Sequence, residues 1–187
     1  VECTGRPYTF KERKFTASEL EYWQQYGITP EILEQYKVCS VVQFQSENAE
    51  GNPFSYTSTK EEPIYGYKSK RFIKLYRPFS RTRFLYGGNI GENCCFGLEQ
   101  LARKGDTLFI TGGEKDVLSL AAKGFHAICF NSETVTVPPN IIYKLTFRFK
   151  HIILLYDMDA TGTESAKKHE KQLCEYGVKR LLLPLQG

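Results

Sequence analysis

Residues 151–168 read HIILLYDMDATGTESAKK, and this stretch decides the fold of the second half of the chain. A short apolar run ends abruptly on Asp157 and Asp159. The run predicts a buried β-strand, and Thr161 with Glu164 predicts the capping box of a helix that follows. The stretch therefore predicts a strand that passes through two carboxylates directly into a helix.

A second stretch upstream, DTLFITGGEKDVLSL at residues 106–120, has the same design of apolar strand, glycines, acidic residues and helix. HAICF at residues 126–130 predicts a strand between the two, and VKRLLLPL at residues 178–185 predicts a final one. Alternating strands and helices predict a parallel sheet with helices on both faces. Functional groups gather at the carboxyl ends of such strands, where we expect both acidic clusters to lie.

The first half of the chain has a different pattern. Thr16 and Glu19 predict a capped helix that ends at Gly27, and Thr29 with Pro30 predicts a second helix. From residue 40 to residue 88, short β-branched and aromatic runs predict an antiparallel meander. We therefore predict an α+β subdomain over residues 1–100. An α/β domain with a four-stranded, mostly parallel sheet flanked by helices is predicted over residues 101–187.

Composition sets broad limits on the class of protein. The 187 residues are 41% hydrophobic and 25% charged, with a net charge of +4, as in ordinary globular proteins. No apolar run approaches the ~20 residues that cross a bilayer, and no signal peptide is visible, so we expect a cytoplasmic protein without a membrane partner. The start at Val1 suggests a piece of a longer protein. Six cysteines without a CxxC pair predict free thiols and no zinc site.

The segment YKSKRFIKLYRPFSRTRFLYGG at residues 67–88 is basic, contains no acid and is interleaved with aromatic residues. Such a mixture suits a nucleic-acid groove, where cations follow phosphates and rings stack on bases. It equally suits the solvated face of a sheet whose aromatic residues form the core. On the first interpretation, the residues that bind nucleic acid are Lys68, Lys70, Arg71, Lys74, Arg77, Arg81 and Arg83.

Asp157 and Asp159 are two positions apart at the end of an extended segment, so they can present carboxylates to the same spot. Such a pair favours Mg²⁺ or Mn²⁺, and the N-terminus of the following helix favours an anion beside the metal. A metal next to an anion is the arrangement that phosphodiester chemistry needs. The alternative is that this DxD forms an ordinary turn or helix cap.

Over about residues 105–185, the order of strands, glycines and acids resembles the TOPRIM domain of primases, topoisomerases and some nucleases. The helical pair and the basic meander resemble the region that precedes TOPRIM in primases of the phage primase–helicase type. By this resemblance, Asp157 and Asp159 are metal-binding aspartates and Gly162 lets a helix approach the site. The first TOPRIM motif matches Gly113 and Asp116.

The same resemblance exposes one departure. Gly112 stands where the family carries a glutamate proposed as a general base or metal ligand. Glu114, two residues later, is a candidate replacement, and its alternative role is a favourable charge at a helix N-terminus. The resemblance implies a catalytic set of Glu114, Asp116, Asp157 and Asp159, with Mg²⁺ or Mn²⁺ on Asp157, Asp159 and Glu114.

Three functions stay open at this stage. The first is a DNA primase core from a phage or mobile element, which makes RNA primers from nucleoside triphosphates on a single-stranded DNA template. Its expected companion is a helicase domain or a helicase partner. The second is a nucleic-acid-binding module of a primase–helicase that lost catalysis with the glutamate. The third is a TOPRIM nuclease, against which the helical pair and the meander argue.

Overall fold

The computed structural model describes residues 7–91, 94–132 and 134–183. The chain divides into two compact units, Val1–Glu92 and Asn93–Gly187. The sequence analysis placed this boundary at residue 100. Each unit has its own sheet and its own core, and the mixed α/β class expected from the sequence is confirmed.

The first unit combines two short helices with a six-stranded antiparallel sheet. The sheet order is β1-β2-β4-β5-β6, and β3 pairs with the far end of the long strand β2. The five predicted meander strands are present, and the sequence analysis missed β1. The elements are β1 (Tyr8–Arg13), α1 (Ala17–Gln24), α2 (Pro30–Gln35), β2 (Val38–Glu47), β3 (Pro53–Thr57), β4 (Ile64–Lys68), β5 (Phe72–Tyr76) and β6 (Phe84–Gly88).

Local sequence explains the helical pair. The Thr16 hydroxyl accepts from the Glu19 N–H, and the Glu19 carboxylate accepts from the Thr16 N–H at 2.8 Å, which completes the predicted capping box. Gly27 ends the first helical segment with φ +73°, where a side chain would be strained. Trp23 is fully buried and packs 4.9 Å from the ring of Tyr65, so aromatic contacts hold α1 on the sheet.

The second unit is a five-stranded sheet of order β11-β10-β8-β9-β7. β8, β9, β10 and β11 run parallel, and the short β7 adds an antiparallel edge, so the sheet has one strand more than predicted. The sequence LEQLARKG at residues 98–105 has a pattern that predicts a helix, but it forms only a 3-10 turn at Leu98–Gln100. The elements are β7 (Cys95–Phe96), β8 (Gly105–Thr111), α3 (Glu114–Ala122), β9 (His126–Phe130), α4 (Pro139–Thr146), β10 (Phe149–Leu155), α5 (Ala160–Gln172) and β11 (Lys179–Arg180).

The core of the second unit lies between this sheet and its helices. Leu108, Ile110 and Leu154 of the central strands are fully buried, with Ile128 beside them and Ile142 of α4 packed against them. This packing fixes the ends of β8 and β10, from which the candidate site is built. Among the described residues, no helix combines the length and the apolar character that crossing a bilayer requires.

Candidate active site

The two acidic stretches meet at one edge of the second sheet. β8 and β10 are adjacent and parallel, with Thr111 opposite Leu155 at their carboxyl ends. The turn at residues 112–113 and the turn at residues 156–159 therefore leave the sheet side by side. The expectation that these strands are neighbours is confirmed, and it brings acids 41 positions apart, Asp116 and Asp157, to the same edge.

Asp116 lies in the first turn of α3, at the edge of the sheet where the two acidic turns meet. Burial raises the pKa of Asp116 above its ordinary value, and the negative charge of Asp157 raises it further. Glu114 has a weaker effect in the same direction. A partly buried carboxylate whose ionisation is disfavoured by a neighbouring negative charge marks a place where a cation is stabilised.

Asp159 has a different local role from Asp157. Its Oδ1 accepts the N–H of Gly162 at 2.7 Å, and its extended backbone makes it the N-cap of α5. The predicted capping box of Thr161 and Glu164 is therefore wrong, because α5 begins two residues earlier. One oxygen of Asp159 is committed to the helix, and Asp157 interacts with Asp116 from the neighbouring strand.

The site glycines differ in what they do. A Cβ on Gly162 would lie 2.2 Å from the carbonyl oxygen of Asp157, so glycine is needed for α5 to start this close to the strand end. A Cβ on Gly113 would lie 3.6 Å from Asp116 Oδ2, an ordinary contact. Gly112 is not one of the described glycines with positive φ, so its backbone does not demand glycine.

Glu114, the candidate replacement for the missing glutamate, is the first residue of α3. Its side chain is buried, with 5% of the residue exposed, rather than extended into solvent. Glu114 is therefore buried at the N-terminus of α3, where a carboxylate also interacts favourably with the helix dipole.

A buried pair that the sequence analysis did not find supports the end of β10. The hydroxyl of Tyr156 lies 2.9 Å from Nδ1 of His169, which is fully buried on α5. Burial lowers the pKa of His169, which favours the neutral imidazole. This contact ties α5 to the residue directly before Asp157. The only sequence signal for this pair was the histidine ten residues after Asp159, and its spacing did not predict that Tyr156 would be its hydrogen-bond partner.

The donor set fits a cation that is shared with a substrate. The described residues contain no group of three or more acidic, histidine or cysteine side chains able to enclose a metal. Asp116 and Asp157 nevertheless provide two interacting carboxylates at the carboxyl ends of the parallel strands β8 and β10. Mg²⁺ is usually held by one or two carboxylates together with water and substrate phosphates, so the pair is sufficient for that mode of binding.

The seven basic side chains predicted to bind nucleic acid fall into three groups: two are buried, one pairs with an acid and four are exposed. Lys74 and Arg77 are buried, with 5% and 8% exposure, and Lys68 donates to Glu12 at 2.7 Å. The Lys74 ammonium lies 4.6 Å from the ring centroid of Phe84. The remaining cations are exposed at the surface: Lys70, Arg71, Arg81 and Arg83.

The comparison with protein families decides the class of the second unit. The Toprim-like family model matches residues 109–187, the segment that contains both acidic turns. The second unit carries a Toprim-like domain. No curated protein matches the chain by sequence.

Solved structures extend the likeness from the Toprim-like domain to the rest of the chain. The primase fragment of the bacteriophage T7 primase–helicase protein matches 98% of this chain and 72% of its own, at 15% identity and a TM-score of 0.63. The E. coli primase catalytic core matches 91% and 66%, at 15% identity and a TM-score of 0.65. A DnaG primase catalytic domain bound to single-stranded DNA matches 90% and 66%, at 16% identity and a TM-score of 0.66.

These matches show that the Toprim-like domain and the unit before it have the fold of primase catalytic cores. The chain spans about two thirds of the length of those bacterial cores. The matched segment contains Gly112, Asp116, Asp157 and Gly162, the positions that the sequence pattern predicts to correspond to the family's motifs.

Proposed function

We propose that the chain is the polymerase core of a DNA primase, which joins ribonucleotides into primers on single-stranded DNA in a metal-dependent reaction. One observation carries the proposal: Asp116 and Asp157 come together at the carboxyl ends of adjacent parallel strands inside a Toprim-like domain. The primase-core fold along most of the chain supports this reaction over hydrolysis of a phosphodiester.

The proposed chemistry follows from the donor set. A bound Mg²⁺ or Mn²⁺ would neutralise the triphosphate and polarise the attacked phosphorus. The 3′-oxygen of the primer forms a bond to the α-phosphorus, the bond to the bridging oxygen breaks, and pyrophosphate leaves while water takes the hydroxyl proton. Asp116 and Asp157 hold the site's negative charge, Asp159 contributes its uncommitted oxygen, and Gly162 and His169 keep α5 in place.

The exposed cations of the first unit are proposed to hold the template strand. Lys70, Arg71, Arg81 and Arg83 have the exposure needed to reach phosphates, and Lys68 could exchange Glu12 for a phosphate. We exclude Lys74 and Arg77 from direct contact because they are buried in the fold. A helicase, in the same chain or as a partner, is the expected companion, since one matched structure comes from a primase–helicase protein.

Gly112 favours a second candidate function. If the first-motif glutamate is indispensable, the chain is a nucleic-acid-binding module that keeps the fold without the reaction. Glu114 is the nearest acid to Gly112 in sequence, but it is buried at the base of α3. The two candidates differ only in catalysis, so an activity assay separates them.

The test is synthesis of labelled RNA from ribonucleotides on single-stranded DNA with Mg²⁺ or Mn²⁺. The primase proposal predicts synthesis by the wild type and its loss in Asp157→Asn and Asp116→Asn. Asp106→Asn is the matched control, because Asp106 is an exposed acid at the opposite end of β8, where it pairs with Lys150 at 3.0 Å and accepts from the Thr107 hydroxyl at 3.3 Å. An inactive wild type that still binds single-stranded DNA would favour the binding module.

A further inference from the structure

The loop between β5 and β6, residues 77–83, displays Phe79 to solvent, and the first residue of β6, Phe84, is displayed directly after it. Phe79 is 61% exposed and Phe84 is 40% exposed. Within residues 7–91, no other large hydrophobic side chain is exposed. Single exposed hydrophobic residues are common, but two at one end of a hairpin, in a unit whose other rings are buried or half-buried, indicate a surface with a partner.

The loop is held in shape by a buried arginine. The backbone N–H of Arg77 donates to the carbonyl of Arg83 at 2.7 Å and closes the loop. The Arg77 guanidinium lies 4.2 Å from the ring centroid of Tyr56 and 3.8 Å from the carboxylate of Glu62. Because these contacts fix the loop before any ligand arrives, its rings are presented at a low cost in conformational entropy.

Each exposed ring is supported from behind by a tyrosine. Phe84 stacks on Tyr76 with ring centroids 5.5 Å apart and an interplanar angle of 23°. Phe79 meets Tyr22 edge-on with centroids 5.7 Å apart. The two tyrosines are joined by a hydrogen bond of 2.8 Å between their hydroxyls. The Phe84 ring also has the Lys74 ammonium 4.6 Å from its centroid, so the more exposed Phe79 offers most of the accessible aromatic surface. Every nucleobase has a π-face that can stack on such a surface.

The charge around the two rings is positive. Arg81 and Arg83 are exposed on the same loop, and no aspartate or glutamate occurs from Pro63 to Gly91. The Arg83 guanidinium donates to the hydroxyl of Tyr76 at 3.3 Å, which places it next to the ring that supports Phe84. Cations beside exposed rings match the alternation of phosphates and unpaired bases along a single strand.

We propose that Phe79 and Phe84 form a base-stacking platform for single-stranded DNA, with Arg81 and Arg83 on the flanking phosphates. This deepens the template-binding part of the proposed function and rests on it. The sequence interpretation expected the rings of this segment to stack on bases but named only cations as binding residues, and the exposure of Phe79 and Phe84 identifies which rings are available.

The test is fluorescence anisotropy of a labelled oligothymidine of about 12 nucleotides, an abasic strand of the same length and a DNA duplex. We expect Phe79→Ala to weaken oligothymidine binding by about tenfold, and Phe79→Trp to restore it, because stacking needs an aromatic ring. The wild type should bind the abasic strand by a similar factor more weakly, and Phe79→Ala should no longer distinguish the two strands.

Salt dependence separates the rings from the cations. Arg81→Ala should lower the slope of log affinity against log salt by about 0.7, the value for one phosphate contact of a single strand. Phe79→Ala should leave that slope unchanged. Phe147→Ala is the matched control, since Phe147 is 68% exposed in the other unit. Phe84→Ala is a second variant of the platform. If it fails to fold because the stacking contact with Tyr76 is lost, the result with Phe79→Ala decides.

Three results would overturn the platform: equal binding of the two strands by the wild type, an equal loss in Phe79→Ala and Phe147→Ala, or no measurable binding of single-stranded DNA. A change only in self-association of Phe79→Ala, measured by sedimentation, would show instead that the rings contact a second copy. Mn²⁺ binding by the wild type and Asp157→Asn tests the proposed catalytic site independently, so the platform can fail while that site stands.

Discussion

Gly162→Ala tests whether α5 is required to start against the backbone of Asp157. The new Cβ would lie 2.2 Å from the Asp157 carbonyl oxygen, whereas ordinary contacts begin near 3.4 Å, so the backbone must shift by about 1 Å. Overpacking of this kind costs about 1–3 kcal/mol, and the better helix propensity of alanine returns about 1 kcal/mol at most. A net loss of about 2 kcal/mol corresponds to a fall in melting temperature of about 4–8 °C.

The assay is a thermal melt followed by circular dichroism, with Mn²⁺ titration of each folded protein. Gly113→Ala is the matched control, because its Cβ would meet nothing closer than 3.6 Å and its φ of −155° suits any residue. We expect Gly113→Ala to melt within about 2 °C of the wild type. If both alanine variants melt with the wild type, the close approach of α5 to Asp157 is not a feature of the folded protein.

Three further outcomes follow. Burial raises the native pKa of Asp116, so the folded protein is less stable once this carboxyl ionises, and wild-type stability should fall as the pH rises from about 4. Asp116→Asn should lack that fall and should therefore melt at a higher temperature than the wild type at neutral pH. Gly112→Glu should increase primer synthesis if a glutamate directly after β8 reaches the cation, with a thermal melt to check that the variant folds. Lys74→Ala should lower the melting temperature yet change the salt slope of DNA binding less than Arg81→Ala, because Lys74 is 5% exposed.

The alternation of strands and helices in the second half was predictable because each element carries a local signal. Residues 152–156 are a short apolar run, and Gly177 ends the last helical segment with φ +71°. The strand β1 was missed because its sequence, YTFKER, ends in charged residues and pairs with β2 some thirty residues later. Its strand conformation depends on that distant partner rather than on its own pattern.

The candidate site was predictable as a location but not as a geometry. Asp157 and Asp159 are close in sequence, and spacing suggested that they share one ligand. The structure instead gives one oxygen of Asp159 to the helix cap and sets Asp157 against Asp116. A cap and a ligand use the same residue type, so sequence alone could not distinguish the two roles.

The basic segment shows the same limit. Charge and aromatic content were visible in the sequence, but burial was not. Lys74 and Arg77 have the same local composition as Arg81 and Arg83. The fold buries Lys74 within β5 and buries Arg77 against Tyr56 and Glu62. The distinction between structural and surface cations therefore required the fold.

Mn²⁺ titration of the wild type, Asp116→Asn, Asp157→Asn, Asp159→Asn and Asp106→Asn, followed by electron paramagnetic resonance, tests the central claim most directly. The account predicts saturable binding by the wild type and by Asp106→Asn, and a loss of about tenfold or more in Asp116→Asn and in Asp157→Asn. Asp159→Asn should lose less, since asparagine keeps the cap on α5. Equal affinity across all five proteins, or loss in Asp159→Asn with full binding by Asp116→Asn, would contradict a cation site built on Asp116 and Asp157.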